Sequence, residues 1–262
     1  MNDVALAGRQ GAFALKNVQR DPRALIFTVL MPIGFLLLFN SVFGKDHATT
    51  ELFGRRVPLT AFYSGGIAAY SLALTAFSTV LIRLVTDREA GRLKRYRGTP
   101  MPPWTFFAGQ FVTTLVAGVL MVGLITGISI SAYGVRIAPA AWPMFALYVV
   151  LGVFCLTTLA IALAGLVSST DMASAVGPFV VVILGFVSGV FLPLALLPSW
   201  IHAISRFFPL APLAQGFQAV FTSGSGRSAW RPETVEVLVV WGLVSLVVAL
   251  RTFEWSPIGA RR

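Results

Sequence analysis

Ten acids, two histidines and one cysteine are all that the chain offers for acid–base, nucleophilic or metal chemistry, and their spacing serves none of these. His47 and His202 fall between apolar runs rather than inside them, and no Cys/His spacing suits a metal. Cys155 lies within an apolar run and reads as a small buried apolar residue. Intramembrane hydrolysis by a serine needs a histidine embedded beside the nucleophile, and this sequence has none. No G-x-x-x-x-G-K-[ST] run occurs, so the chain carries no P-loop. No acid lies in the middle of an apolar run, where an ion-coupled carrier keeps ionisable groups to bear its coupling charge. An enzyme and a secondary carrier are therefore disfavoured.

One stretch does concentrate charge: "TDREAGRLKRYRGTPMPP", Thr86 to Pro103. With Arg83 it holds six of the twenty basic residues. Thr86-Asp87-Arg88-Glu89 fits a capping box, with Thr at the N-cap and Glu three positions on. Asp87 and Glu89 then fall in the first turn and Lys94, Arg95 and Arg97 in the last, as the helix dipole favours. Gly98 suits the position after the helix, and Pro100 blocks continuation. These rules predict a three-turn helix over Asp87–Arg97 with a thin apolar stripe of Ala90, Leu93 and Tyr96. A loop that only lies on anionic headgroups has no need of acids, a cap or a stripe. The pattern suits contact with a protein partner.

The elements that must hold this stretch are written in hydropathy. The chain is 56% hydrophobic and 11% charged over 262 residues, against about 25% charged for an ordinary soluble domain. Crossing a hydrocarbon core of about 30 Å takes about 20 apolar residues in a helix. Six runs qualify: 24–44, 59–85, 104–133, 143–168, 172–192 and 235–253. The sixth is flanked by Glu236 and Arg251, which reach the interface from the helix ends. The first run is too long for a signal peptide and reads as a retained span. Thirteen Lys and Arg fall on the side of the termini and the Thr86 connector, and seven on the other. Positive-inside then places both termini and that connector in the cytoplasm. The prelude Val4–Arg20 has the apolar and basic mixture of a helix lying on the membrane face. No internal repeat is visible, and residues 1–262 read as one transmembrane domain.

The fifth connector, Leu192 to Phe221, is apolar but broken by Pro193, Pro198, Pro209 and Pro212, which a lipid-exposed span does not tolerate. Trp200, Ile201, Ile204, Phe207 and Phe208 recur at helical spacing, with His202, Ser205 and Arg206 on the other side. This predicts either an amphipathic helix anchored at the outer interface or a re-entrant pair capping a pathway, with Phe191, Pro193, Pro198, Trp200 and Pro209 as the cap. Tyr70, Phe77, Ser78, Phe179, Phe186 and Ser188, on the second and fifth spans, are candidates to line a pathway free of fixed charge. Such a path suits hydrophobic or weakly polar cargo. Gly123 with Gly127, and Gly185 with Gly189, have the spacing of close helix contacts.

"DREAGRLKRYRGTP" resembles the segment after the second span in permeases of type-2 ABC exporters, with the daunorubicin-exporter-like drug-efflux branch nearest. Those permeases have an acid-Arg-Glu-x-Gly start and a Thr-Pro exit, matched here by Asp87, Arg88, Glu89, Gly91, Thr99 and Pro100. Where many members place an acid or Thr soon after the Gly, this chain has Arg92, Lys94 and Arg95. "GVFLPLALLPSW" followed by "FPLAPLAQGF" resembles the same family after its fifth span. The resemblance implies a coupling helix (Asp87, Arg88, Glu89, Gly91, Arg92, Leu93, Arg95, Tyr96) docked on a separate P-loop ATPase, two copies per complex, which binds the ATP and Mg. It implies a connecting helix in the prelude and a second permease, identical or homologous. The expected protein is all-α with six spans, an interfacial N-terminal helix, a coupling helix and an external re-entrant or amphipathic connector. It would export drug-like or lipid cargo from the bacterial cytoplasmic membrane, holding no cofactor or metal and contacting no nucleic acid. A membrane scaffold that transports nothing is the alternative; an ion-coupled carrier is a weaker one.

Overall fold

In the computed structural model, residues 22–44, 48–93, 103–225 and 228–252 are described. The prelude, Lys94 to Pro102 and the C-terminal residues from Phe253 on lie outside them, and with them the expected membrane-face helix and the Arg95 and Tyr96 contacts. The helices are α1 (Pro22–Phe43), α2 (Leu59–Ala73), α3 (Thr79–Glu89), α4 (Pro103–Tyr133), α5 (Trp142–Ala164), α6 (Thr170–Val187), α7 (Ser199–Phe207), α8 (Leu210–Phe221) and α9 (Pro232–Thr252). A π-helical segment, Leu74–Ser78, joins α2 to α3 without a break, so the second span is one 31-residue helix from Leu59 to Glu89. Five helical segments of the described residues are long and apolar enough to cross a membrane: α2–α3, α4, α5, α6 and α9. The apolar part of α1 over described residues is Thr28–Phe43.

Two elements depart from the sequence reading. A two-stranded antiparallel hairpin, β1 (Thr49–Leu52) and β2 (Arg55–Pro58), precedes α2, so the chain is mostly rather than wholly helical. Its two-residue turn, Phe53-Gly54, has positive φ at both positions, as the primed hairpin turns require. Phe in place of the usual Asn hides that turn in the sequence. The other departure is α3, which runs straight through Thr86-Asp87-Arg88-Glu89. The proposed N-cap is therefore an interior helical residue, and Thr86 Oγ1 donates back to the Ile82 carbonyl (2.8 Å). The helix ends where a new one was expected to begin, at Ala90 and at Gly91, whose φ of +67° takes the chain out of the helix. Local capping rules were met but lost to the continuity of a packed span.

The α2 helix is the centre of the fold, with thirteen of its fifteen residues buried. It packs against α1, α4 and α8, while α5 packs along α9. The short α8 is interior too, with Leu210–Ala214 and Gly216–Phe221 all buried. Eighteen ångströms of helix, at about 1.5 Å per residue, is too short to cross, so α8 enters from one end and stays there. Small residues let it in. A Cβ on Gly65 of α2 would come within 2.7 Å of the Gln218 Cα and 2.8 Å of its backbone nitrogen. At that end Tyr148 of α5 donates to the Ala229 carbonyl and accepts from the Arg231 N–H, both at 2.8 Å, fastening the loop that leads into α9. We expect Tyr148→Phe to lose about 1–3 kcal/mol, read as a lower detergent-solubilised melting temperature without loss of membrane insertion.

The α7 helix is amphipathic, as its spacing predicts. Trp200, Ile204 and Phe207 are exposed, while Ser205 is buried. Its apolar stripe therefore faces outward, to where lipid or a second chain would lie, and a polar residue faces the protein. His202 is helical, but its side chain lies outside the described residues.

Candidate functional site

The last turn of α3 carries Asp87, Arg88 and Glu89, and each has a different job. Arg88 is 2% exposed. Its Nη1 donates to the Ala164 carbonyl at 2.6 Å, and its Nη2 donates to the Val167 carbonyl. Ala164 is the last residue of α5, so Arg88 meets the carbonyls that a helix C-terminus leaves unpaired, at the negative end of its dipole. Glu89 points the other way along the chain. Its carboxylate accepts from the Thr170 N–H at 3.1 Å and from the Thr170 hydroxyl. Thr170 is the first residue of α6, so this anion sits at the positive end of that dipole. Ser169 caps the same terminus, its hydroxyl accepting from the Met172 N–H at 3.2 Å. The Thr170 hydroxyl also lies 3.3 Å from Thr86 Oγ1.

One dipeptide thus pins three helix ends. Its cation closes the C-terminus of α5, its anion closes the N-terminus of α6, and both grow from α3. Asp87 faces outward. It pairs with Arg92 at 2.7 Å and with Arg83 at 3.9 Å. Such exposed pairs contribute at most about 1 kcal/mol each. Arg92 is exposed and Leu93 is buried just beyond the Gly91 break.

The expected contact surface is therefore divided. Asp87, Glu89, Gly91 and Arg92 lie at this end with some accessibility, whereas Arg88 is turned into the protein and Leu93 is covered. Sequence reasoning assigned Arg88 to an outside partner; its partners are backbone carbonyls of its own chain. The signal available was the adjacency of an acid and a base at the end of a span, which dipole arguments allow across helices as well as along one.

At the opposite end the chain turns sharply at Gly189 (φ +77°). The Gln218 amide of α8 donates to the Gly189 carbonyl at 2.9 Å. Phe191 is buried there and is the hub of a ring cluster, with centroids 5.0 Å from Phe35, 5.6 Å from Phe39, 5.1 Å from Tyr70 and 5.0 Å from Phe186. Aromatic pairs at such separations add cohesion beyond their buried area. A cavity of about 690 Å³ opens beside the cluster, between α1, the hairpin, α2 and the segment after α6. Phe39, Phe43, Tyr63, Phe191 and Pro193 line its apolar side, and Glu51 and Arg56 stand on its polar side. The hairpin is itself held, because the Arg231 guanidinium stacks 3.4 Å over the Phe53 ring.

The six pathway candidates do not share one surface of the single chain. Tyr70, Phe77, Ser78 and Ser188 are buried, whereas Phe179 and Phe186 are 63% and 50% exposed on α6. Ser78 belongs to the π segment and meets α6 directly. A Cβ on Gly177 would lie 2.9 Å from the Ser78 hydroxyl. Of the cap candidates, Phe191, Pro193 and Pro209 are buried, Trp200 is exposed, and Pro198 precedes α7 at the surface. Gly185 packs on the Phe191 ring, but Gly123 and Gly127 face open space within this chain.

Comparison with known proteins agrees with this architecture. The family model described as ABC-2 type transporter matches residues 12–222. The transport permease YvfS of Bacillus subtilis (strain 168) is 21% identical over 241 residues, covering 92% of this chain and 94% of that protein. The inner membrane transport permease YadH of Escherichia coli (strain K12) is 25% identical over 258 residues, covering 93% of this chain and 91% of its own. A protein of the same name from Shigella flexneri is equally similar.

Proposed function

Because this chain belongs to the ABC-2 type transporter family and is a multi-pass membrane transport subunit, we propose that it is the permease of an ATP-driven exporter in the drug-efflux branch, moving hydrophobic or amphipathic cargo such as drugs or lipids outward. Permeases of this family work with an ATPase subunit. In the proposed complex two P-loop ATPase copies bind the ATP and Mg, and a second permease, identical or homologous, completes the pathway. All 262 residues act as one transmembrane domain. In this reading α1 is the sixth span, both termini and the Arg88 end face the cytoplasm, and the membrane is the bacterial cytoplasmic one.

The observation that carries the reading is the Arg88–Glu89 staple. It gathers the ends of three spans beside the one strongly basic connector, where a pull or push from outside the membrane reaches all three. Asp87, Glu89, Gly91, Arg92, Arg95 and Tyr96 are proposed to form or border the ATPase contact, with Arg88 and Leu93 holding it from beneath. Tyr70, Phe77, Ser78, Phe179, Phe186 and Ser188 stay proposed as pathway residues, exchanged between buried and open positions as the spans move. Phe191, Pro193, Pro198, Trp200 and Pro209 are proposed to close the outer end. The aromatic cavity beside Phe191 supports apolar or amphipathic cargo, since it offers rings on one side and charges on the other.

The test is affinity purification of the tagged chain from its native membrane. A stoichiometric P-loop ATPase in the preparation, hydrolysing ATP faster when hydrophobic compounds are added, is the expected result. A chain that purifies alone with no nucleotide-dependent activity would favour the scaffold.

A further inference from the structure

The α6 helix fully buries only one narrow line of its surface. Ala173, Gly177, Val181 and Gly185 are its only buried residues, spaced four apart over eighteen positions. Two of the four are glycines and the others are short, so the fully buried line itself interlocks little, and the partly buried Val180, Val182 and Leu184 pack beside it. Polar ties at its two ends add to that packing. At one end the buried Gln218 amide holds the Gly189 carbonyl just past the helix. At the other the Glu89 carboxylate holds Thr170 by both the N–H and the hydroxyl.

The two tethers differ in kind. The Gln218 bond is neutral and enclosed. The Glu89 bond is charged, lies at the surface, and is two residues from the Gly91 break. Arg88 serves a different purpose: from its buried position it holds the α5 end and, through the Val167 carbonyl, the connector three residues ahead of α6. A displacement arriving from beyond Gly91 meets the last turn of α3. From there Glu89 and the neighbouring Thr86 are the side chains that reach the first residue of α6.

We propose that Glu89 is a positioning residue for transport: through its grip on Thr170, α6 follows the Arg88 end of α3 as one body. The inference rests on the exporter reading, since it names how that motion is passed on. It assigns Glu89 a role inside the chain, in addition to its place at the border of the ATPase contact.

The test uses the purified complex of this chain with its ATPase, reconstituted in vesicles, with two readouts. One is cargo moved per ATP hydrolysed. The other is the distance between spin labels on cysteines introduced at Arg83 and Met172, and the single native Cys155 is buried and does not compete for label. In the wild type a narrow distance distribution is expected with and without a non-hydrolysable nucleotide. Glu89→Ala should broaden it and lower cargo per ATP by about tenfold, the scale of losing a charge-assisted hydrogen bond. Thr170→Val, which keeps the N–H and lies outside the proposed ATPase contact, should do the same less severely, with ATP hydrolysis within about twofold of wild type. The double variant should be no worse than Glu89→Ala alone, because both act on one contact. Thr170→Ser, keeping both donors, should behave as wild type.

A narrow wild-type-like distance in Glu89→Ala, or losses that add in the double variant, would overturn the tether. Failure of the exporter reading looks different: the wild type itself would lack an ATPase or move no cargo, and the spin-label comparison would still decide the tether.

Discussion

Replacing Arg88 with alanine should leave less than about a tenth of the wild-type amount of folded protein in the membrane, the largest single-residue loss expected outside close helix contacts. The guanidinium is 2% exposed and donates to the Ala164 and Val167 carbonyls. Without it the carbonyl at the end of α5 and that of Val167 in the following connector lose this donor where water has little access, at a cost of about 1–3 kcal/mol each. The dipole of α5 also loses the cation at its negative end, worth about another 0.3–1 kcal/mol. Lysine is a weaker replacement than its charge suggests. Its compact ammonium lacks the planar fork that reaches two separate oxygens, so Arg88→Lys should retain roughly half of the stabilisation. Protein level after pulse-chase, and melting of the solubilised chain, read both variants. Normal levels of Arg88→Ala would mean that the staple contributes nothing to the fold.

Gly65→Val is expected to be as damaging for a different reason. The first added carbon would sit 2.7 Å from the Gln218 Cα, 2.8 Å from its nitrogen and 3.0 Å from the Phe217 carbonyl carbon. All three are backbone atoms, so no side chain can rotate away. Either α8 leaves its place against α2 or the helices part, at a cost of about 3 kcal/mol or more. Because α8 also carries Gln218, the variant should release the Gly189 turn as well. Limited proteolysis in the loop between α6 and α7 is the check, with faster cleavage than wild type expected. Gly123→Ala is the control, since nothing within 4 Å meets its added carbon in this chain.

The membrane architecture is legible in the sequence because long apolar runs have one physical solution in lipid. The runs at 104–133 and 235–253 become α4 and α9 with ends shifted by only a few residues. The charged connector was legible as a special place but misread in detail. Both the sequence rule and the structure use Glu89 as an acceptor at a helix N-terminus; the rule assigned it to the helix in which it sits, and the fold assigns it to α6. Local capping patterns carry no information about which helix end is nearest in space. The π segment at Leu74–Ser78 left no trace in hydropathy, since Leu-Thr-Ala-Phe-Ser suits a regular helix equally well. Its reason is tertiary: it places Ser78 against the bare backbone of Gly177. The hairpin at Thr49–Pro58 was hidden by its brevity, and the burial of α8 by the proline content that marked it as irregular.

The most direct test of the account is a photo-crosslinking amino acid placed at Arg92, exposed beside the staple, and, in a second strain, at Phe53 in the hairpin turn at the other end of the bundle. In intact cells the position 92 probe should yield an adduct containing a P-loop ATPase, and the position 53 probe should yield none. An ATPase adduct at position 53, or none at position 92 in a chain that inserts normally, would contradict an ATPase working at the Arg88–Glu89 end.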